Sequence, residues 1–539
     1  MGLDKIVGGC IGLGFFLILC GYQILQPQYI SWLLDNTNHD SIQHFVGWEF
    51  FRNEAWHFPL GLITNYGYPI ATSIVYTDSI PILALIFKLS APLLPHDFQY
   101  FGLWFALCLF LQGWFAWGLC NYFTKNIVIK TLITGFFVMS PIMQNRMVEH
   151  QALVGHWIIL ASFYLYLRPL QRTTHIYWLV LNAFAILIHA YLALMCLSVW
   201  LAFLLREIVI NKNIKLGNGF RIISLNLFIL IILAYVSGYF VIPFSGILDA
   251  GGYSFNSLNL LAPLQPTSGS FIAPNHWSRF LTPLTTTYIE QGDEGFNYFG
   301  LGFISLSIIA IFCFLATKNY KITFKTWMPL IIVISLLAIY ALSNNIYFGN
   351  KLLFSYPLPK FLIEFTDIFR APGRFFWPMY YFLMLGIFMI LVNKIPMRAL
   401  LPVLFLGLSL QIWDLSPKFV ELHQRFSENL TLNSKPLNIP EINNPKLAHL
   451  VFLPFVSKPH IKIKNFGNYL HYAATHNLTV NLGYLARQNQ SNSYAINRKV
   501  MIDLYQGKYS PDTLYLVTDP RWFNKLKAHS ARENTFRLA

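Results

Sequence analysis

Asp40 and His44 stand four residues apart in the stretch running from Asp40 to Arg52. On a helix that spacing puts both on one face, where a carboxylate can act as general base and an imidazole can orient it or contact a phosphate. An Asp that merely caps the helix is the plain alternative. The same polar segment, 28–99, also carries Glu49, Glu54, His57 and Asp78, more titratable groups than a connector requires. A second polar run, Gln144 to Gln151, holds Arg146, Glu149 and His150. It reads as a tight loop between two apolar segments, although polar side chains at helix ends also simply reach for water. Farther on, Arg370 and Arg374 flank Pro372 and Gly373, and their planar forks suit phosphate oxygens or interfacial anchoring. His156 and His189 fall inside apolar runs, where an ionisable side chain is a candidate for function and a neutral, hydrogen-bonded ring is the simpler state.

Long apolar segments must position these groups. Of 539 residues, 55% are hydrophobic and 11% charged, which excludes soluble globular classes. Ile6 to Leu25 bears no charge and has about the 20 residues that a membrane-spanning helix needs. No small-x-small site follows it, so it reads as a retained first helix. Further spans are expected at 100–120, 127–143, 152–167, 176–204, 222–243, 298–317, 327–342, 375–392 and 399–413. The run 176–204 is too long for one helix and breaks at His189 into two, giving about 11 crossings in all. Lys125, Arg168, Arg172, Arg206, Arg221, Lys318, Lys325, Lys394 and Arg398 then share one side, which the positive-inside rule makes cytoplasmic. Ile80 to Leu94, short and containing Pro81 and Lys88, reads as an interfacial or re-entrant helix, as Asp40 to Arg52 reads as a helix lying along the outer interface. Loops 28–99, 144–151, 244–297 and 343–374 share the outer side with everything after Trp413.

The fold class expected is an all-α polytopic membrane protein with a small C-terminal α/β domain at 414–539. Its strands are read at Leu447–Phe455 and Thr513–Val517, and its helices at Asn468–His476 and Arg498–Gln506. The net charge of +15 comes without a nucleic-acid module, so the expected anion is a lipid phosphate. All six cysteines lie in apolar runs, which leaves neither a disulfide framework nor a CxxC metal site. There is no P-loop and no GxSxG. The long loop 244–297, with Gly251-Gly252-Tyr253, Asn275 to Arg279, Glu290, Asp293 and Glu294, suits a lid or acceptor groove but contains no specific motif.

Asp40 with Gln43-His44, the run Gly47 to Arg52, Trp56 to Gly61, and Tyr76 to Ser79 resemble a family of large bacterial inner-membrane proteins with the architecture of GT-C class glycosyltransferases. The local likeness covers residues 30–170; the rest is similar in layout. The resemblance implies a GT-C-like domain over 1–413, a polyprenyl-phosphate-linked sugar donor, and a glycan, lipid or protein acceptor. It implies Asp40 as the catalytic carboxylate with His44, and Glu149 and His150 as the second-loop counterpart. Arg370 and Arg374 would be phosphate clamps, with Asp78, His57 and Arg146 as further substrate contacts. Glu-His stands where metal-dependent members carry Asp-x-Asp, a poorer set for hard cations. The expectation is therefore a transfer without metal or cofactor, in which Asp40 deprotonates the acceptor and arginines stabilise the departing phosphate. The site and tail would face the periplasm from the inner membrane. A flippase for lipid-linked saccharides is the alternative, but transporters place ionisable groups near the midplane and show repeated halves. A scaffold component of an envelope glycan assembly complex is a third reading.

Overall fold

The computed structural model describes residues 3–34, 39–242, 253–269, 274–284, 293–316, 324–427, 446–455, 463, 465–483, 485–487, 490–529 and 536–538. Helices dominate, because backbone groups in hydrocarbon must bond within their own segment. After α1 (Leu3–Cys20), the polar segment folds as α2 (His39–Asn53), the hairpin β1–β2 (Leu62–Ile63, Thr72–Ser73) and α3 (Pro81–Leu89). There follow α4 (Phe101–Cys120), α5 (Ile127–Val138), α6 (Pro141–Val148), α7 (Trp157–Leu167), α8 (Thr174–Ile188), α9 (Ala190–Leu205) and α10 (Leu216–Ser237). Past the hairpin β3–β4 (Thr267–Gly269, Pro274–His276) come α11 (Leu301–Ala316), α12 (Phe324–Leu342) and the hairpin β5–β6 (Asn345–Phe348, Lys351–Ser355). Then come α13 (Lys360–Thr366), α14 (Trp377–Lys394) and α15 (Met397–Ser427).

Among the described residues, six helices are long and apolar enough to cross a membrane: Phe101–Cys120, Ala190–Ile210, Leu216–Ser237, Lys325–Leu342, Pro372–Lys394 and Met397–Ser427. The pair α5 and α6, bent by 41°, makes a seventh if it counts as one span. The protein is thus mostly helical and membrane-associated. Small residues let α1 and α4 touch backbone to backbone, as membrane helices do: a Cβ on Gly113 would sit 2.1 Å from the Gly8 carbonyl oxygen. The run 176–204 breaks at His189, whose backbone is extended and whose ring accepts the N–H of Tyr191 (3.2 Å), capping α9.

Three expectations need correction. The run Gln144 to Gln151 is not a surface loop: Pro141 opens α6, and residues 141–148 are all buried. Two of its polar side chains meet distant partners, Asn145 Oδ1 accepting from Ser268 (2.9 Å) and Arg146 Nη1 donating to Glu294 (2.6 Å). Nor is the apolar face of α2 open to an interface. Ile42, Phe45, Val46, Trp48 and Phe51 are buried: Gly467 and His471 of the C-terminal segment lie against Ile42 and Phe45, Phe98 and Tyr100 pack on Trp48, and Trp56 and Lys88 pack on Phe51. The last apolar helix does not end at Trp413: α15 continues to Ser427, with Asp414 buried inside it. Asp414 accepts the Tyr298 hydroxyl (2.7 Å) and the N–H of Leu301 (3.0 Å), so a carboxylate caps the positive end of α11.

The C-terminal residues form β7 (His449–Leu453), α16 (Phe466–Thr475), β8 (Thr479–Val480), α17 (Gln490–Tyr505), β9 (Thr513–Val517), α18 (Pro520–His529) and β10 (Phe536–Leu538). The strands make one parallel sheet in the order β10-β9-β7-β8. It is stitched to the helical body at Val480, whose N–H donates to Asn65 O (2.9 Å) and whose carbonyl accepts from Tyr68 N (2.6 Å). On α2, Glu49 accepts from His471 (2.7 Å) and Asn53 donates to Ala474 O (2.9 Å).

Candidate functional site

Contacts at the start of α2 bring the site together. Ser41 Oγ donates to Val148 O (3.3 Å) and accepts from Gln151 Nε2 (3.1 Å), tying the start of α2 to the end of α6. Asp40 thereby meets His150: its Oδ2 lies 3.4 Å from His150 Nδ1. The turn after β2 is pinned beside them. Ser79 Oγ donates to His44 O (2.6 Å), and Gly47 is required where α2 passes this turn, since a Cβ there would sit 2.3 Å from Thr77. Asp78 itself takes a left-handed conformation, φ 53°, which Asp tolerates better than most residues. Its carboxylate points to His189 Nε2 at 3.5 Å.

Glu294 organises the other half. Its Oε2 accepts from Arg146 Nη1 (2.6 Å) and Arg374 Nε (2.7 Å). Its Oε1 takes Arg374 Nη2 and lies 2.6 Å from His150 Nε2. A continuous chain results, Asp40 to His150 to Glu294 to the two arginines. Burial opposes the Glu294 charge, but Arg146, Arg374 and His150 more than offset it and hold its pKa well below the usual range. Burial likewise works against protonation of His150, yet the charges of Glu294 and Asp40 prevail and raise its pKa. For Asp78, burial is outweighed by the hydrogen bond and charge of His189, with smaller help from His44 and His150, so it stays ionised.

His44 is the outlier. It is wholly buried, burial pushes its pKa down to about 4 against the pull of Asp78 and Asp40, and neither ring nitrogen has a hydrogen-bond partner. A buried polar atom left so costs about 1–3 kcal/mol. One ligand atom each from His44, Asp78 and His150 lie within 4.8 Å of one another.

Toward the bundle side, the Arg374 guanidinium lies 4.7 Å from the Tyr191 ring centroid. The Tyr191 hydroxyl accepts from Ala371 N (2.8 Å), and its ring packs on Phe369 and Phe375. Behind these rings an apolar cavity of about 240 Å³ opens between α9 and α12, lined by Leu194, Ser198, Val333, Leu337, Phe369 and Phe375 among others. At the rim, Arg370 is exposed. Arg487 of the C-terminal segment donates to Ile368 O. Burial lowers the Arg487 pKa, the like charge of Arg370 adds to that, and Tyr76, Tyr191 and Asp78 oppose it.

Of the residues singled out from sequence, Asp40, His44, Asp78, Arg146, His150 and Arg374 come together. The charge of Glu149 is felt by Lys418 of α15. His57 lies past the far end of α2, 38% exposed and 3.4 Å from Glu54. Arg374 is gathered into the site, but Glu294 occupies its fork, so it is no open phosphate clamp. His156 is a core imidazole bonded to the Tyr381 hydroxyl (2.9 Å). In the long loop, Arg279 bonds Ser416 (3.0 Å) and Ser278 bonds Asp414, anchoring the loop to α15. Gly251, Gly252 and Glu290 lie outside the described residues. Glu294 was read only as part of an unspecific lid, and nothing in its local sequence marks it as the hub. Tyr191 and Arg487 carried no signal beyond residue type.

No curated protein matches the chain. Residues 444–537 match the DUF6311 C-terminal domain. Residues 9–416 match the family described as Domain of unknown function (DUF6311); that match takes in the helical body and every site residue except Arg487, and the chain belongs to the DUF6311 family.

Proposed function

We propose that this protein transfers a sugar from a polyprenyl-phosphate-linked donor to an acceptor hydroxyl at the outer face of the bacterial inner membrane. In this reading the chain crosses about 11 times, and residues 414–539 lie in the periplasm. The observation that carries it is the aromatic wall of Tyr191, Phe369 and Phe375. Phe369 and Phe375 line an apolar cavity, and Tyr191, packed on both, carries the Arg374 guanidinium that holds Glu294 and through it the His150–Asp40 chain. A lipid-linked donor needs that junction, because its chain stays in hydrocarbon while its phosphate and sugar reach polar groups.

The acceptor oxygen attacks the anomeric carbon, and Asp40 takes the hydroxyl proton. The bond from that carbon to the phosphate oxygen breaks, and polyprenyl phosphate leaves with the electron pair. His150, held between Glu294 and Asp40, orients the base. Arg370 and Arg487, like charges at the rim, receive the phosphate, while Arg374 serves to hold Glu294. The charges gather where helices begin and end rather than at mid-helix, which favours transfer over transport.

Reconstituted with a polyprenyl-phosphate sugar, Arg370→Ala and Arg487→Ala should each raise the donor requirement by about 10-fold or more, as expected for charge-assisted contacts of about 1.5–3 kcal/mol. Lys at either position should recover activity only in part. Unchanged donor dependence in both Ala variants would remove the phosphate seat and with it the lipid-linked donor.

A further inference from the structure

His44 has no part in the transfer chemistry above, yet it sits at the centre of the charged groups with both nitrogens buried and unpartnered. Asp78 and His150 each bring a ligand atom to it, the three within 4.8 Å of one another. Their outer partners are those that orient metal ligands. His150 Nε2 is engaged by the Glu294 carboxylate (2.6 Å), which leaves Nδ1 facing inward toward Asp40 (3.4 Å). Asp78 is oriented by His189 (3.5 Å). A carboxylate fixing one ring nitrogen while the other ligates is the common outer shell of a histidine metal site.

We propose that His44, Asp78 and His150 bind a divalent transition-metal ion of the zinc class, with water free to complete the set. Two imidazoles with a carboxylate suit zinc, whereas magnesium and calcium favour oxygen ligands. At zinc bond lengths of about 2.0–2.2 Å, tetrahedral ligand atoms lie about 3.4 Å apart, so small side-chain rotations bring the three into range. From sequence, Glu149 with His150 is a poor set for hard cations. The fold brings His44 from α2 and Asp78 from the turn after β2 to His150. The site stands whether or not sugar transfer does, and its test reads metal rather than activity.

The full-length protein in nanodiscs, stripped with chelator and titrated with zinc chloride, should retain one zinc per chain after desalting, measured by mass spectrometry. Zinc should also raise its melting temperature, and excess magnesium should not displace it. His44→Gln and His150→Gln should each weaken zinc binding by about tenfold or more. Asp78→Asn, nearly isosteric, should do the same and serves where an imidazole variant does not fold. His96→Gln, at an exposed His–Asp pair, should bind as the wild type does. Wild-type protein that retains less than stoichiometric zinc would overturn the proposal, as would folded His44, Asp78 and His150 variants that bind zinc normally.

Discussion

At one end of the bundle, buried Arg206 is satisfied by Glu207, its neighbour in the chain (2.8 Å), and by the carbonyls of Tyr166 and Arg168. Nearby, Lys130 donates to Asn121 (2.9 Å), which reaches Asp4 (2.8 Å). At the opposite end, Glu294 collects Arg146, His150 and Arg374 from segments far apart in sequence, and Asp40 and Asp78 join from two more. Partners of the first kind come in small sets, each cation held by a carboxylate or amide near it in the chain, with Tyr166, Arg168 and Asp4 reaching in from other segments. Partners of the second kind meet only when the whole fold is in place. Concentrating unlike charges there gives up easy packing for a preorganised polar site.

The largest effect that separates the two ends should come from Glu294→Gln. It leaves two buried guanidiniums uncompensated, and breaking such a pair costs about 3–5 kcal/mol. Glu207→Gln should lose less, since Arg206 keeps its two carbonyls. Thermal unfolding in detergent measures both, and equal losses would break the comparison. A smaller effect is expected beyond the aromatic wall: Leu337→Trp, filling the apolar cavity, should raise the apparent KM for a long-chain donor several-fold and leave a short-chain analogue unaffected. A plug that affects both donors equally would sever the cavity from the site.

Smaller again is the pH dependence of the joint between α2 and the C-terminal unit. Burial raises the pKa of Glu49, with His471 opposing. Burial disfavours charge on His471, but the hydrogen bond and charge of Glu49 prevail and raise its pKa above 6.5. Both groups bind protons more readily when docked: the Glu49 share weakens from about pH 4.5 upward, and the His471 share is fully present below pH 6.5 and weakens as the pH rises through the raised His471 value. Protease resistance of the tail should fall over that range and flatten in Glu49→Gln; a rise with pH would contradict the pairing. Membrane sidedness involves no energetic change at all. In sealed cells a cysteine at exposed His96 should label with an impermeant reagent and one at exposed Lys215 should not; the reverse would invert the two ends.

Helix positions were readable because apolar runs of spanning length have one backbone solution, and the His189 break because an imidazole interrupts such a run. Strand Thr513–Val517 was readable for its β-branched and aromatic run, whereas the two-residue β8 has no period to detect. The failures share a cause. Asn145 and Arg146 look like loop residues until Ser268 and Glu294 arrive to meet them, and Asp414 looks like a helix end until Tyr298 and Leu301 donate to it. Asp40, His150 and Arg374 were found by residue type and spacing. Glu294 was not recognised as their hub, since what distinguishes it from Glu290 is only where the fold puts it.

The central claim is that the converged end performs chemistry rather than anchoring. Asp40→Asn, nearly isosteric and part-buried beside His150, tests it most directly in proteoliposomes that contain a polyprenyl-phosphate sugar and an acceptor. The account predicts a fall in kcat of about 10²–10⁴-fold with donor KM and melting temperature near the wild-type values. Turnover above about a tenth of wild type, where a general base is worth at least about 10², would contradict it.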